Sequence, residues 1–254
     1  MVQIKQSDMM GGLAKGLRVI EAFTAENPRL SISDAASITG LDRATTRRCL
    51  LTLAAHGYCA YDGKFFTVTP RVLRLGTGCL ASMPLPRIVQ PWLDQLAQQI
   101  GQSTSVAILD EGEIVYVARA AQRKVMSIAL MPGSRLPAYC TSMGRVMLAA
   151  LPEDQARELL KTRPLSARTP HTLTNLEAIM AELERARIQG YAAVDQEVEI
   201  GLRSIAVPIR NARGVVIAAL NTGLSASPEP MGVVVENYLQ PLLEVREELA
   251  GILS

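Results

Sequence analysis

The chain of 254 residues carries 26 Lys and Arg against 24 Asp and Glu, a net charge of +2, and 48% of it is hydrophobic. That is enough apolar material for sizeable cores, and at roughly 150 residues per domain the length predicts two domains. No run of about 18 apolar residues occurs and the N-terminal MVQIKQSDMM lacks a long apolar segment, so neither a membrane span nor a secretion signal is expected and the protein reads as cytoplasmic.

The charge is unevenly placed. Residues 1–80 hold ten Lys and Arg against six Asp and Glu, an excess that puts a polyanion partner at this end. The four cysteines, Cys49, Cys59, Cys79 and Cys140, show no metal-ligand or redox spacing and read as reduced thiols. In chain order, Met10, Gly11 and Gly12 form a loose arm. Residues 12–25 then predict a first amphipathic helix, with Leu13, Leu17, Ile20 and Phe23 at helical spacing and Asn27-Pro28 as its stop. A second helix opens at Ser31 to Asp34, with a serine as cap, and runs through Ser37; Gly40 supplies a tight turn.

Asp42 to His56 follows as a third helix, capped by Asp42 and ended by Gly57. Thr46, Cys49, Leu50 and Leu53 form its inner stripe, Ala44, Arg47, Arg48 and Leu51 its outer face, and Arg43 and Thr45 flank that face in the first turn. A small, basic, hydroxyl-bearing face on a short helix suits the DNA major groove, with Arg47 or Arg48 reading guanine and Thr45 reaching base or phosphate. An ordinary amphipathic surface helix would show the same pattern, so the neighbours decide. The preceding helix and Gly40 complete a helix-turn-helix. The segment YCAYDGKFFTVTP then alternates as two strands about Asp62-Gly63, a hairpin wing whose Lys64 can meet phosphate.

Residues 12–75 resemble the winged helix-turn-helix of the IclR family of bacterial transcriptional regulators, through GLRVIEAF, SISDAASITGLDRATTRRCLLTL, the GY pair and VTPRVLRLG. The resemblance continues to the C-terminus. It implies a homodimer or dimer of dimers on a partly palindromic operator, with double-stranded DNA as partner and RNA polymerase as a further candidate. Arg71 to Ser82 reads as a helical connector with Val72, Leu75 and Cys79 along one side, and Pro84 and Pro86 mark its end. The expected domains are therefore a DNA-binding domain over 1–70, a linker over 71–83 and an effector-binding domain over 84–254.

Beyond the linker the pattern predicts a helix over Arg87 to Ile100 and three strands in STSVAILD, IVYVARAA and VMSIALM. Helices follow from Thr141 or Ser142 to Ala150, over EDQARELL, and from a capping box Thr174 to Glu177 through Gln189. Strands YAAV, RSIAVPI and VVIAALNTG and a closing helix over Pro230 to Leu253 complete the chain. The fold class is α+β, with a six-stranded antiparallel sheet flanked by helices in the second domain.

Catalysis has little support. Cys140 with His171 is the one thiol and imidazole pair to test, Ser142 lies in CTSMG without the first glycine of a nucleophile elbow, and Gly76-Thr-Gly lacks the third glycine of a dinucleotide loop. Two isolated histidines make no zinc site, so no metal and no cofactor are expected. The alternative class is a hydrolase-like enzyme with an appended helix-turn-helix.

A ligand pocket is the better reading. Cys140 to Met143 sits at a helix N-terminus, which favours a carboxylate, and the polar loop Asp195 to Gly201 leads into Arg203-Ser204 on a strand. Equally, Thr141 or Ser142 can serve only as cap, Met143 only as core, and Asp195 and Glu199 only as partners of Arg203 or Arg119. The family resemblance implies effector contacts at Ile128, Leu136, Ser142, Met143, Val194, Asp195, Leu202, Ser204 and Asn221. Members that sense small keto acids carry Gly-Ala at the helix start and an acid before the position of Asp195. Here Ser142-Met143 and Val194 stand instead. RLPAYCTSMGRVMLAALP, RTPHTLTN and DQEVEIGLRSIAVPI resemble the branch that controls aromatic-acid breakdown, which implies an effector of the protocatechuate, 4-hydroxybenzoate or β-ketoadipate class.

Overall fold

The computed structural model describes residues 5, 8–24, 26–122 and 130–253, which fall into two units, Met1–Ser82 and Met83–Ser254. The first unit contains α1 (Gly11–Glu21), β1 (Arg29–Leu30), α2 (Ile32–Thr39), α3 (Arg43–Ala55), β2 (Cys59–Tyr61), β3 (Phe66–Val68) and α4 (Leu73–Ser82). Local chemistry sets the helix ends. Ser31 and Asp34 satisfy each other's backbone N–H at 3.2 and 2.9 Å, and Gly40 ends α2 in the left-handed region at φ +68°. Asp42 Oδ1 accepts from Thr45 N at 2.8 Å to start α3.

The hairpin of β2 and β3 is present, and β1 adds a third strand that the sequence reading did not foresee, in the order β1-β3-β2. Val19, Ala22, Leu30, Ala35, Leu50, Cys59 and Phe66 form the core. The expected stripe on α1 is wrong in detail. Leu13 and Leu17 are 60% and 47% exposed, while Val19, Ala22 and Phe23, the i, i+3, i+4 set one residue round the helix, face the core. Gly11 and Gly12 belong to α1 rather than to an arm. On α4, the connector, every described side chain is exposed, including Leu73 and Leu75.

The second unit is a three-layer arrangement. Its elements are α5 (Pro84–Ile100), β4 (Ser103–Asp110), β5 (Glu113–Ala120), β6 (Arg135–Pro137), α6 (Ser142–Ala149), α7 (Glu153–Lys161), α8 (Leu176–Gln189), β7 (Ala192–Asp195), β8 (Leu202–Arg210), β9 (Val216–Ser225) and α9 (Met231–Ala250). The sheet is antiparallel throughout, in the order β6-β5-β4-β9-β8-β7. Period-2 alternation sends Val106, Ile205, Val207, Ile209, Ala218 and Leu220 toward α5 and α9. It sends Ala107, Ala206 and Ala219 toward α6 and α8. Those three alanines leave room for α6 to lie close to the sheet, and all eight of its residues are buried.

Several expectations are corrected. α5 starts at Pro84, since proline suits the first helical turn, and does not wait for Arg87. The expected strand VMSIALM falls largely on residues 123–129, outside the described residues; among the described residues the three-residue β6, too short for an alternation to show, also pairs with β5. The cap of α8 is Asn175, whose Oδ1 accepts from Ala178 N at 3.0 Å, and Glu177 pairs with Arg157 rather than closing a capping box. Between Val106 and Ala107 the β4–β5 ladder holds a bulge, in which β5 carries one extra residue.

Candidate functional site

The outer face of α3 is built largely as the sequence suggests, except that Leu51, expected on it, is half-buried and packs against the core. Arg43, Ala44, Arg47 and Arg48 are exposed, Thr46 and Leu50 are fully buried, and Cys49 and Leu53 are half-buried. Thr45 departs from the expectation: it is 8% exposed, and its hydroxyl accepts from Arg48 Nη2 at 3.4 Å, so it steadies a cation rather than standing free. At the wing tip, Asp62 Oδ1 accepts from Lys64 N and Phe65 N at 2.9 and 2.7 Å, fixing a turn with Gly63 at φ +99°. Lys64 is exposed and its Nζ lies 5.0 Å from the Phe65 ring. Arg29 stacks on the same ring at 4.1 Å and pairs with Asp62 at 3.6 Å, so it brings a second cation to the wing. Arg29 carries no local motif; only the pairing of β1 with β3 puts it there.

The second unit holds a polar cavity between the sheet and the N-terminus of α6. It is lined by Ser103, Tyr116, Arg119, Leu130, Leu136, Thr141, Ser142, Met143, Val198, Leu202, Ser204, Asn221 and Gly223, around about 30 Å³ of free space. Six of the nine expected contacts meet here: Leu136, Ser142, Met143, Leu202, Ser204 and Asn221. Thr141 caps α6 by accepting from Gly144 N at 3.2 Å, which leaves the Ser142 hydroxyl to donate across to Ser204 Oγ at 2.9 Å. Ile128 lies outside the described residues. Val194 is buried opposite Ser204 in the ladder but does not line the cavity.

Asp195 goes elsewhere. Both its oxygens accept from Arg203, at 2.8 and 3.0 Å, and that guanidinium also donates to Glu229 O at 2.6 Å. The hydrogen bonds from Arg203 hold the Asp195 carboxyl below its ordinary 3.8. The loop above the cavity is tied down from the side by a buried ion pair. Arg145 Nη2 on α6 meets Glu197 Oε2 at 2.7 Å, Leu173 N donates to the same oxygen at 3.1 Å, and the Thr172 hydroxyl donates to Glu197 O at 2.6 Å.

Among the cavity residues that sequence reasoning did not foresee are Arg119 and Tyr116. Strict alternation puts residues three apart on opposite faces of a strand. The bulge turns both Val117 and Ala118 toward α5 and so restores Tyr116 and Arg119 to one face. Arg119 Nη1 donates to Ser105 Oγ at 3.0 Å, and burial lowers its pKa from the ordinary arginine value. Burial pushes the Tyr116 phenol up to about 12, so it stays neutral. Cys140 is fully buried and its thiol is pushed up to about 12 by burial, which withholds the thiolate that nucleophilic catalysis requires. A larger groove of about 600 Å³ lies at the C-terminal ends of α6 and α8, where Arg187 already donates to Ala149 O. Helix C-termini repel anions, so this groove does not suit an acid.

Comparison with known proteins agrees with this division. Residues 77–245 match the family model described as the IclR C-terminal part of bacterial transcriptional regulators, and residues 12–63 match the IclR helix-turn-helix domain. The chain is 42% identical over 243 residues to the Pca regulon regulatory protein of Pseudomonas putida, covering 95% of this chain and 84% of that one. It is 35% identical over 255 residues to the p-hydroxybenzoate hydroxylase transcriptional activator of Acinetobacter baylyi, covering 98% and 94%. A solved IclR homolog from Microbacterium hydrocarbonoxydans, complexed with 4-hydroxybenzoate, superposes with a TM-score of 0.72 at 28% identity, covering 94% of this chain and 99% of that one. With the helix-turn-helix match over the first unit and the C-terminal match over the second, the chain belongs to the IclR family of bacterial transcriptional regulators.

Proposed function

We propose that the protein is an effector-controlled regulator of aromatic-acid breakdown, binding operator DNA as a homodimer or higher oligomer in the cytoplasm. In this reading the DNA-binding domain spans 1–70, the linker 71–83 and the effector domain 84–254. Arg43, Ala44, Arg47 and Arg48 face the major groove, Thr45 positions Arg48, and Lys64 with Arg29 meets phosphate. The effector is an aromatic carboxylic acid held at Leu136, Ser142, Met143, Leu202, Ser204 and Asn221. The observation that carries the reading is the lining of the cavity, apolar and aromatic walls with a few polar groups; with about 30 Å³ of free space its walls must part to admit an aromatic acid. The hydroxybenzoate in the Microbacterium homolog and the names of the Pseudomonas and Acinetobacter relatives support the aromatic class.

The effector acts by binding one arrangement of the assembly better than another; only that difference can shift DNA affinity. A thermal-shift screen of aromatic, dicarboxylic and short keto acids tests the class. At 100 times its dissociation constant a ligand stabilises the native protein by ~2.7 kcal/mol, so a true effector gives a clear shift. Shifts with short keto acids and none with aromatic acids would refute the aromatic assignment.

A further inference from the structure

Two groups in the cavity are unmatched in a way that specifies a ligand. The buried arginines of the second unit, Arg145 and Arg203, each hold a carboxylate, Glu197 and Asp195. Arg119, half-buried and facing the cavity, is held by the Ser105 hydroxyl, and among the described residues it forms no ion pair. Desolvating a cation without an anion is unfavourable, and an acid entering the cavity would relieve it. The second group is Asn221. It is 8% exposed and lines the cavity, and its buried Oδ1 has no hydrogen-bond partner among the described residues. A buried acceptor left unmade is costly and calls for a donor.

Their separation follows from the sheet. Ser105 on β4 pairs with Arg119 on β5 on one side and with Asn221 on β9 on the other, so the three side chains stand in one row on the cavity face. Arg119 and Asn221 are therefore two strand spacings apart, ~10 Å between backbones. The acceptor at Asn221 repels a carboxylate, whereas the guanidinium offers only donors and a charge. A hydroxyl both donates and accepts, so it satisfies the Asn221 carboxamide in either orientation.

We propose that Arg119 binds the effector's carboxylate and Asn221 its hydroxyl, which makes the site selective for an aromatic acid with a ring hydroxyl remote from the acid. Tyr116, three residues before Arg119 and on the same face, supplies an aromatic wall. Adjacent placement, as in 2-hydroxybenzoate, cannot reach both ends. This inference rests on the aromatic-acid reading above and adds the orientation of the ligand.

Calorimetric titration of the full-length protein with 4-hydroxybenzoate, benzoate, 2-hydroxybenzoate and the neutral 4-hydroxybenzamide tests it. The wild type binds 4-hydroxybenzoate about tenfold or more tighter than benzoate or 2-hydroxybenzoate, the size expected for one buried hydrogen bond. Asn221→Leu removes that preference and leaves benzoate affinity within about twofold; Asn221→Ser, a gentler change, narrows the preference. Arg119→Gln weakens both 4-hydroxybenzoate and benzoate about tenfold or more and leaves 4-hydroxybenzamide unchanged. Equal loss of both acids in the Asn221 variants, or acid affinity unchanged by Arg119→Gln, would overturn the orientation while the aromatic reading stands. Failure of the wild type to bind any of the hydroxybenzoates would overturn both.

Discussion

At the scale of single residues the second unit shows how ionic partners are sorted. Arg145 and Glu197 are 2% and 8% exposed, so removing one leaves the other charged and dry. Glu197→Ala is expected to destabilise the unit by about 3–5 kcal/mol, while Arg145→Met with Glu197→Leu costs much less, as chemical denaturation will show. Asp195 and Arg203 give a pH-dependent counterpart. The arginine lowers the folded-state pKa of Asp195, so the pair's stabilisation is complete above the ordinary 3.8 and is lost as pH falls through the lower folded value. Melts of the wild type and Asp195→Asn should differ by a constant amount from pH 7 to about 5 and converge below that window. Asp195 also shows what sequence can and cannot tell. Its two uses, ligand acceptor or partner of Arg203, were both readable from the loop and strand around it, but that both its oxygens are engaged by Arg203 follows only from the cross-strand pairing. Ser142 and Ser204 were each legible as site candidates, from a helix start, a strand start and the family resemblance, but the hydrogen bond between them shows only in the fold. Arg119 was illegible as a cavity residue because a bulge leaves no mark in the alternation of β5.

At the scale of elements, α6 depends on a missing side chain. A Cβ at Gly144 would overlap the Ala138 carbonyl, so the helix can approach the turn before it only with glycine there. Gly144→Ala should lower stability at the upper end of the ~1–3 kcal/mol typical of overpacking, and disturb the cap at Thr141 with it. On α4, by contrast, a Cβ at Gly78 meets nothing within 4 Å. Gly78→Ala should raise stability by ~0.4–1 kcal/mol through the unfolded chain. Thermal denaturation of the two variants side by side checks both signs. The helices were largely legible, since caps and breakers such as Asp42, Gly40 and Gly190 act within a few residues of the ends they set. The buried face of α1 was not, because Leu13, Leu17 and Ile20 make an apolar stripe of their own and the packing of α1 on α3 selects Val19 and Ala22.

For the whole molecule, DNA affinity should be steeply salt-dependent, because cations at α3 and the wing displace counterions from phosphate. Lys64→Ala should weaken binding to operator and random DNA alike and reduce the log–log salt slope by about one per site. Arg47→Ala should instead lose discrimination, by about 1–3 kcal/mol at its base pair, with random DNA little affected. Fluorescence anisotropy over a salt series separates the two; equal losses on both DNAs for Arg47→Ala would assign that residue to phosphate.

The bulge in β5 ties the cavity to strand register rather than to residue identity alone. Val117 and Ala118 both turn toward α5, so it is the bulge that brings the guanidinium back to the face of Tyr116. Flattening the bulge while keeping both residues would restore plain alternation, move Arg119 beneath α5 and strip the cavity of its cation, whereas deleting one of the two would leave Tyr116 and Arg119 two residues apart and both on the cavity face. If Arg119 holds the effector's acid as proposed, recognition therefore depends on β5 keeping its bulge as well as on the side chains that line the cavity.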